Sequence, residues 1–254
     1  MKWRHGLPLL ALLLAGCATP PHSALYQVST IDALLAGVYD GETRFAEVMP
    51  HGDFGIGTFD GLGGEMVALD GRYYDVRFDG HVRPVDPARR TPFAAVTRFH
   101  ATQRMPAMTA TNLAQLTARL DAALVATNLP CAIRIDGLFR FVRTRSVPPQ
   151  HPPYPPLAEV AKSQAVFEFH DVRGTLVGFR CPAWMKGVNV SGYHLHFLTA
   201  DRRGGGHVLD VAFTDLPAAL DACDTVTLVL PHGQAFGAVN LNQDRSRDLD
   251  RAEK

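Results

Sequence analysis

Residues 192–210 read GYHLHFLTADRRGGGHVLD and hold His194 and His196 two positions apart, then His207 beyond a glycine run. On a strand, side chains two apart share a face, with Cα atoms roughly 6.5–7 Å apart. Leu195 and Phe197 then point to the other face, into a core. Two imidazoles at that spacing can converge on one ion, about 2 Å from each ligand nitrogen. The stretch TADRRGGG is long enough to reverse the chain and bring His207 onto the neighbouring strand beside the pair. Three neutral nitrogen ligands with an open fourth position are the pattern of catalytic zinc, whereas structural zinc closes with a fourth protein ligand. A cupin-like reading fits poorly, because the glutamate it needs after the second histidine is replaced by Ala200, next to Asp201. Cysteine-ligated zinc has no support either, since no cysteine sits in a CxxC pair.

The elements that must position these residues are mostly strands. STIDALLAGVYDG offers a cap at Ser29 or Thr30, an apolar face of Ile31, Leu34 and Leu35, and a stop at Gly37, which predicts a short helix. From Gly55 onward, Asp-Gly steps at 60–61, 70–71 and 79–80 separate runs of alternating apolar residues, which predicts a β-meander. Residues 93–101 read as a further strand. Leu113, Leu116, Leu120 and Leu124 recur at helical spacing. Residues 132–147 read as two strands on either side of the Asp136-Gly137 step. The proline-rich PPQHPPYPP, 148–156, cannot sit in a central strand and is expected to divide two halves. Beyond it the pattern predicts a short helix at 157–164, strands at 165–171, 175–181, 192–199, 206–213 and 225–231, and a helix over DLPAALDAC. The class is α+β (mixed α/β) and sheet-dominated, with two packed β-sheet subdomains and a few short helices.

Bulk properties fit an ordinary globular chain of 254 residues, 46% hydrophobic and 20% charged. Lys plus Arg equals Asp plus Glu, 25 each, so nothing favours nucleic acid or an anionic membrane as a partner. The N-terminus is different. Lys2 and Arg4 precede an apolar run, Leu9 to Ala15, too short to span a bilayer, and the run ends in Leu-Ala-Gly-Cys at 14–17. Residues 1–17 read as a lipoprotein signal peptide with Cys17 the lipidated residue, and 18–24 as a tether. The remaining parts are a β-rich half at 25–150 and a half at 151–254 that carries the histidine cluster. The chain is expected to be exported and to touch a membrane only through the lipid anchor. Cys131, Cys181 and Cys223 remain, of which two could pair outside the cytoplasm.

Three long phrases, HGDFGIGTFDGLGGEMVALDGRYYDV, IRIDGLFRFVRTRSVPPQ and GFRCPAWMKGVNVSGYHLHFLTADRRGGGHVLD, together resemble the acetolactate decarboxylase family over nearly all of the chain from Leu25. The resemblance implies a zinc enzyme, a homodimer, that converts (S)-2-acetolactate to (R)-acetoin and carbon dioxide. It puts the zinc ligands on His194, His196 and His207, and catalytic residues on Glu65, Arg145 and Glu253. It makes Thr58 in GTFDG a substrate contact. Gly63 stands where the family commonly has aspartate, and Cys181 is a second departure; neither removes a ligand. Two rivals remain at this level. One is a non-catalytic zinc-binding envelope lipoprotein; the other is a zinc hydrolase with Glu65 as general base.

Overall fold

Alternating apolar residues and tight turns build a first sheet, and a set of much longer strands builds a second against it. The computed structural model describes residues 23–253. β1 (Ser23–Val28) leads into α1 (Ile31–Leu35), where Thr30 Oγ1 accepts from the Ala33 N–H at 3.2 Å and so caps the helix. β2 (Thr43–Arg44) and α2 (Phe45–Val48) precede the meander of β3 (Phe54–Thr58), β4 (Glu65–Leu69), β5 (Arg72–Val76) and β6 (Val82–Pro84). Asp70 and Gly71 take φ of 52° and 74° between β4 and β5, both left-handed, as a two-residue hairpin loop needs. β7 (Arg90–Thr91) pairs with β2, and β8 (Ala94–Thr97) lies between β1 and β3.

The second layer holds β9 (Gln103–Ala110), α3 (Leu113–Ala123), β10 (Cys131–Ser146), α4 (Leu157–Val160), β11 (Ala165–Cys181), β12 (Gly192–Thr199) and β13 (Gly205–Val229). β10, β11, β12 and β13 are neighbours in that order, and β10 also pairs with β13, so the four strands close on themselves. One face of these strands buries Ile133, Phe139, Leu195, Phe197 and Phe213 against Leu116 and Leu120 of α3. β13 continues past this ring and pairs in parallel with β1, joining the two sheets edge to edge. Their faces also meet, with Leu25, Phe54 and Val67 packed against Ala132, Val177, Phe179 and Leu198. Removing that apolar surface from water is the main force holding the layers together, at roughly 25 cal/mol per Å². α5 (Gln234–Ala238) and α6 (Ser246–Glu253) follow, with Leu249 and Ala252 packed beside Ile31, Leu157 and Val160.

Several sequence expectations need correction. Asp136-Gly137 is not a turn: β10 runs through it unbroken, and Gly137 lies under the Leu216 side chain, where a Cβ would collide. Residues 165–171 and 175–181 belong to one strand, β11. DLPAALDAC is strand, not helix. Ala218, Leu220 and Cys223 are buried, and Pro217 falls at a register shift against β9, where the ladder is already interrupted. Ser23 and Ala24, read as tether, are the first residues of β1, because Ser23 Oγ donates to buried Asp221 at 2.8 Å. The halves 25–150 and 151–254 interlock, since β10 pairs with β11 and β13 along its length. Cys131, Cys181 and Cys223 are all buried free thiols. Cys17 and the rest of the 1–17 signal lie outside the described residues.

Candidate metal centre

Strand alternation puts His194 and His196 on the face of β12 opposite to Leu195 and Phe197. His207 on β13 lies directly across from His196, and Arg145 on β10 directly across from His207. One row of the sheet therefore carries Arg145, His207 and His196. The three imidazole centroids are 5.0–5.6 Å apart, and one ligand atom of each ring lies within 4.8 Å of the others. All three histidines are buried, between the closed strands and β4.

His196 Nδ1 lies 2.9 Å from the Met66 carbonyl oxygen. A carbonyl only accepts, so Nδ1 carries the proton and Nε2 keeps its lone pair. That Nε2, together with Nδ1 of His194 and Nδ1 of His207, is buried without a hydrogen-bond partner. Buried polar atoms are seldom left orphaned, and three neutral imidazole nitrogens are a donor set that zinc takes readily. The residues therefore fit a metal ion. Burial pushes the His194 pKa down to about 3, with the Arg145 charge adding to the shift. Burial likewise holds His196 and His207 well below the usual histidine value, helped by neighbouring His194 and Arg145. All three are neutral ligands at pH 7.

Two carboxylates and a guanidinium surround the triad. Glu65, the first residue of β4, is buried. Its Oε1 accepts from Arg145 Nη1 at 2.9 Å, and its Oε2 is 3.6 Å from His196 Nε2. Arg145 Nη2 donates to the Ala252 carbonyl at 2.9 Å, while its Nε–H is buried without a partner. Glu253 Oε2 is 3.5 Å from His207 Nε2. Burial pushes both carboxyl groups up to about 7, against the opposing pull of Arg145. Thr58 Oγ1 donates to the Gly64 carbonyl at 2.8 Å, so its oxygen is left to accept rather than donate. Gly64 has a φ of 134°, and Asp75 Oδ1 fills the space where a Cβ would stand. That loop thereby sets both Thr58 and Glu65.

These groups, with His196 behind them, meet at one cavity with an empty volume of about 390 Å³, part of it open to solvent. Thr58, Glu65, Arg145, His194, His207 and Glu253 line its polar side. Ile31, Leu34, Leu62, Phe93, Val147 and Leu157 form an apolar wall. Every site residue expected from the sequence within 23–253 is thus brought to one place. Sequence reasoning missed the apolar wall and two backbone carbonyls, those of Met66 and Ala252. Ile31 and Leu34 were legible as one helix face, but which cavity that face meets was not. A carbonyl leaves no mark in residue type.

A profile described as alpha-acetolactate decarboxylase matches residues 25–243. An alpha-acetolactate decarboxylase of Methanosarcina mazei is 51% identical over 230 residues, which cover 91% of this chain and 80% of that protein. The alpha-acetolactate decarboxylase of Bacillus subtilis strain 168 is 42% identical over 250 residues, 96% of each chain. The crystal structure of alpha-acetolactate decarboxylase from that strain superposes with a TM-score of 0.86 at 41% identity, covering 91% of this chain and 99% of the other.

Proposed function

The chain belongs to the alpha-acetolactate decarboxylase family, and from that premise we propose that it converts (S)-2-acetolactate to (R)-acetoin and carbon dioxide with zinc on His194, His196 and His207. It is an enzyme, a carboxy-lyase, like its relatives. The observation that carries the residue assignment is the meeting of three orphaned imidazole nitrogens, two of them on histidines that line a cavity shared with one arginine and two carboxyl groups.

His194, His196 and His207 would hold the zinc, which would supply Lewis acidity to oxygen of the substrate. Arg145, which lines the cavity, orients the carboxylate through its guanidinium before carbon dioxide leaves. The bond to that carboxyl carbon breaks, its electrons pass to the ketone oxygen, and the resulting enediolate must take one proton on carbon. Arginine rarely gives up a proton, so Arg145 contributes position and positive charge. Glu65 and Glu253, whose pKa values burial raises to about 7 in the metal-free protein, would take a proton from water and pass it to that carbon. They approach Arg145 from strand β4 and helix α6, and protonation from one side only would set the configuration of acetoin. The apolar wall receives the methyl groups and keeps water from the reacting carbon.

The test is acetoin formation from racemic 2-acetolactate, before and after chelation. Activity should disappear with the metal and return with zinc; an unchanged rate in metal-free protein would refute the metal assignment. A non-catalytic zinc lipoprotein is not favoured, because every relative named above is a decarboxylase. We also propose export with acyl chains on Cys17, tested by the mass of the mature N-terminus, and a homodimer, tested by mass in solution.

A further inference from the structure

The described chain begins at Ser23, at one end of β1. Ser23 is in register with Cys223, whose N–H donates to the Pro130 carbonyl at 2.8 Å. Segment 124–130 therefore meets the N-terminus. The turn after β11 reaches the same place: Arg180 Nη1 donates to the Thr127 carbonyl, and Trp184 Nε1 to the Asn128 carbonyl at 3.0 Å. This end of the sheet carries two exposed large apolar side chains, Trp184 at 61% and Val125 at 86%. Leu124 and Leu129 lie half-buried beside Val125. The one polar atom of the indole is satisfied by Asn128, and most of the ring is open. A tryptophan with a tied polar edge and a free apolar face suits the boundary between lipid and water.

The length of chain upstream identifies the occupant. Six residue steps separate Cys17 from Ser23, a reach of at most roughly 20 Å. Acyl chains on Cys17 would hold this end of the sheet within that distance of a bilayer. We propose that Trp184 and segment 124–130 form a docking face that seats on a phospholipid bilayer, a proposal that rests on the reading of Cys17 as lipidated. Arg180 beside the face is paired with Asp121 at 3.7 Å, so no cluster of basic side chains is offered to anionic lipid, and apolar contact drives docking on zwitterionic lipid. β1 also fixes the orientation. Its Ser23 end faces the lipid, and its other end passes through Val28 to α1, whose Ile31 and Leu34 line the catalytic cavity. A six-residue strand spans roughly 20 Å. The cavity thus lies toward the end of β1 opposite Ser23, and the turn that carries Trp184 reaches α1 there through Gly187 and Val188, whose carbonyls accept from the Asp32 and Ile31 N–H groups.

The composition supplies a probe. The chain has 2 tryptophans, Trp3 and Trp184, and Trp3 is lost when a lipoprotein is cut before Cys17. Trp184 is then the single tryptophan of the mature protein. The mature acylated enzyme, its lipid verified by intact mass, is placed in phosphatidylcholine vesicles with plain or brominated acyl chains. Docking predicts a blue-shifted emission and about a twofold loss of intensity in brominated vesicles, with activity on added substrate retained. Equal emission from an acylated enzyme in the two kinds of vesicle overturns the docking face and leaves the anchor standing. Trp184 shielded from aqueous iodide in detergent, at a dimeric mass, also overturns it, since a second copy then covers the face. A mature chain without acyl groups overturns the anchor and the docking face together, and mass alone identifies that outcome.

Discussion

Replacing Arg145 with lysine keeps the positive charge and removes the planar fork. In the structure the fork is divided: Nη1 donates to Glu65 Oε1 and Nη2 to the Ala252 carbonyl, both at 2.9 Å, and the guanidinium also lines the cavity that would take the substrate. A lysine has one nitrogen and cannot serve all three directions. It keeps the contact with Glu65, the charged partner, and loses at least one charge-assisted hydrogen bond. Such a bond contributes about 1.5–3 kcal/mol, so kcat/KM should fall about 10- to 100-fold. The metal should stay, because no histidine loses a contact and the retained charge keeps all three neutral. Acetoin formation measured over a range of substrate, with metal content on the same preparation, tests this. Parent-like turnover refutes the role given to the fork. A parallel loss of metal refutes it differently, since Arg145 would then be holding the triad and not the substrate.

His194→Ala should lower zinc content and cut turnover by roughly 10³-fold, as several kcal/mol of Lewis-acid stabilisation vanish; retained metal would mean that His194 is not a ligand. Ending the chain at Arg251 should cost more activity than Glu253→Gln, because only truncation strips Arg145 of the Ala252 carbonyl; equal losses would remove Ala252 from the account. Gly64→Ala should destabilise the fold by roughly 1–3 kcal/mol or more, from the left-handed strain alone, and lower the melting temperature; an unchanged melt would show that Asp75 yields freely. In the metal-free protein, His194 stays neutral when folded but takes a proton below 6.5 when unfolded, so its contribution is lost as pH falls from 6.5 toward 3. Glu65 and Glu253 have folded values raised from 4.5 to about 7, so theirs is present below 4.5 and lost as pH rises through 7. Thermal melts should therefore decline on both sides of that range, and Glu65→Gln with Glu253→Gln should flatten the alkaline decline; an unaltered decline would place its origin elsewhere.

Period-two alternation made the site strands legible. His194 and His196 share a face because nothing interrupts the alternation across Gly192–Thr199, and the glycine run returns the chain to pair His207 with His196. A helical pattern misled at 215–223. Leu216, Ala219 and Leu220 imitate helical spacing, and propensity lost to pairing with β9 and β10. Gly137 looked like a turn residue, yet it serves the close approach of Leu216 from a strand distant in sequence. α6 was not legible at all. Its strongly charged sequence orders only because Leu249 and Ala252 find Ile31, Leu157 and Val160, and the Glu253 assignment came from family likeness, not from any local signal.

The charge balance of the cavity links these pieces. Without a metal, two carboxyl groups share one guanidinium in a buried space, and burial wins: both are pushed up to about 7. The histidines move the opposite way and stay neutral, so they add no charge of their own. A divalent ion on the triad would favour the ionised form of both carboxylates, because opposite charges within a few ångströms stabilise each other strongly in a dry site. With both ionised, the ion and Arg145 leave one net positive charge in the cavity. That matches a substrate with a single carboxylate. As carbon dioxide departs, the negative charge moves from the carboxylate to the enediolate and remains within the same cationic pocket. The binding charge is thus not wasted on the ground state, since it stays with the electrons that the reaction releases.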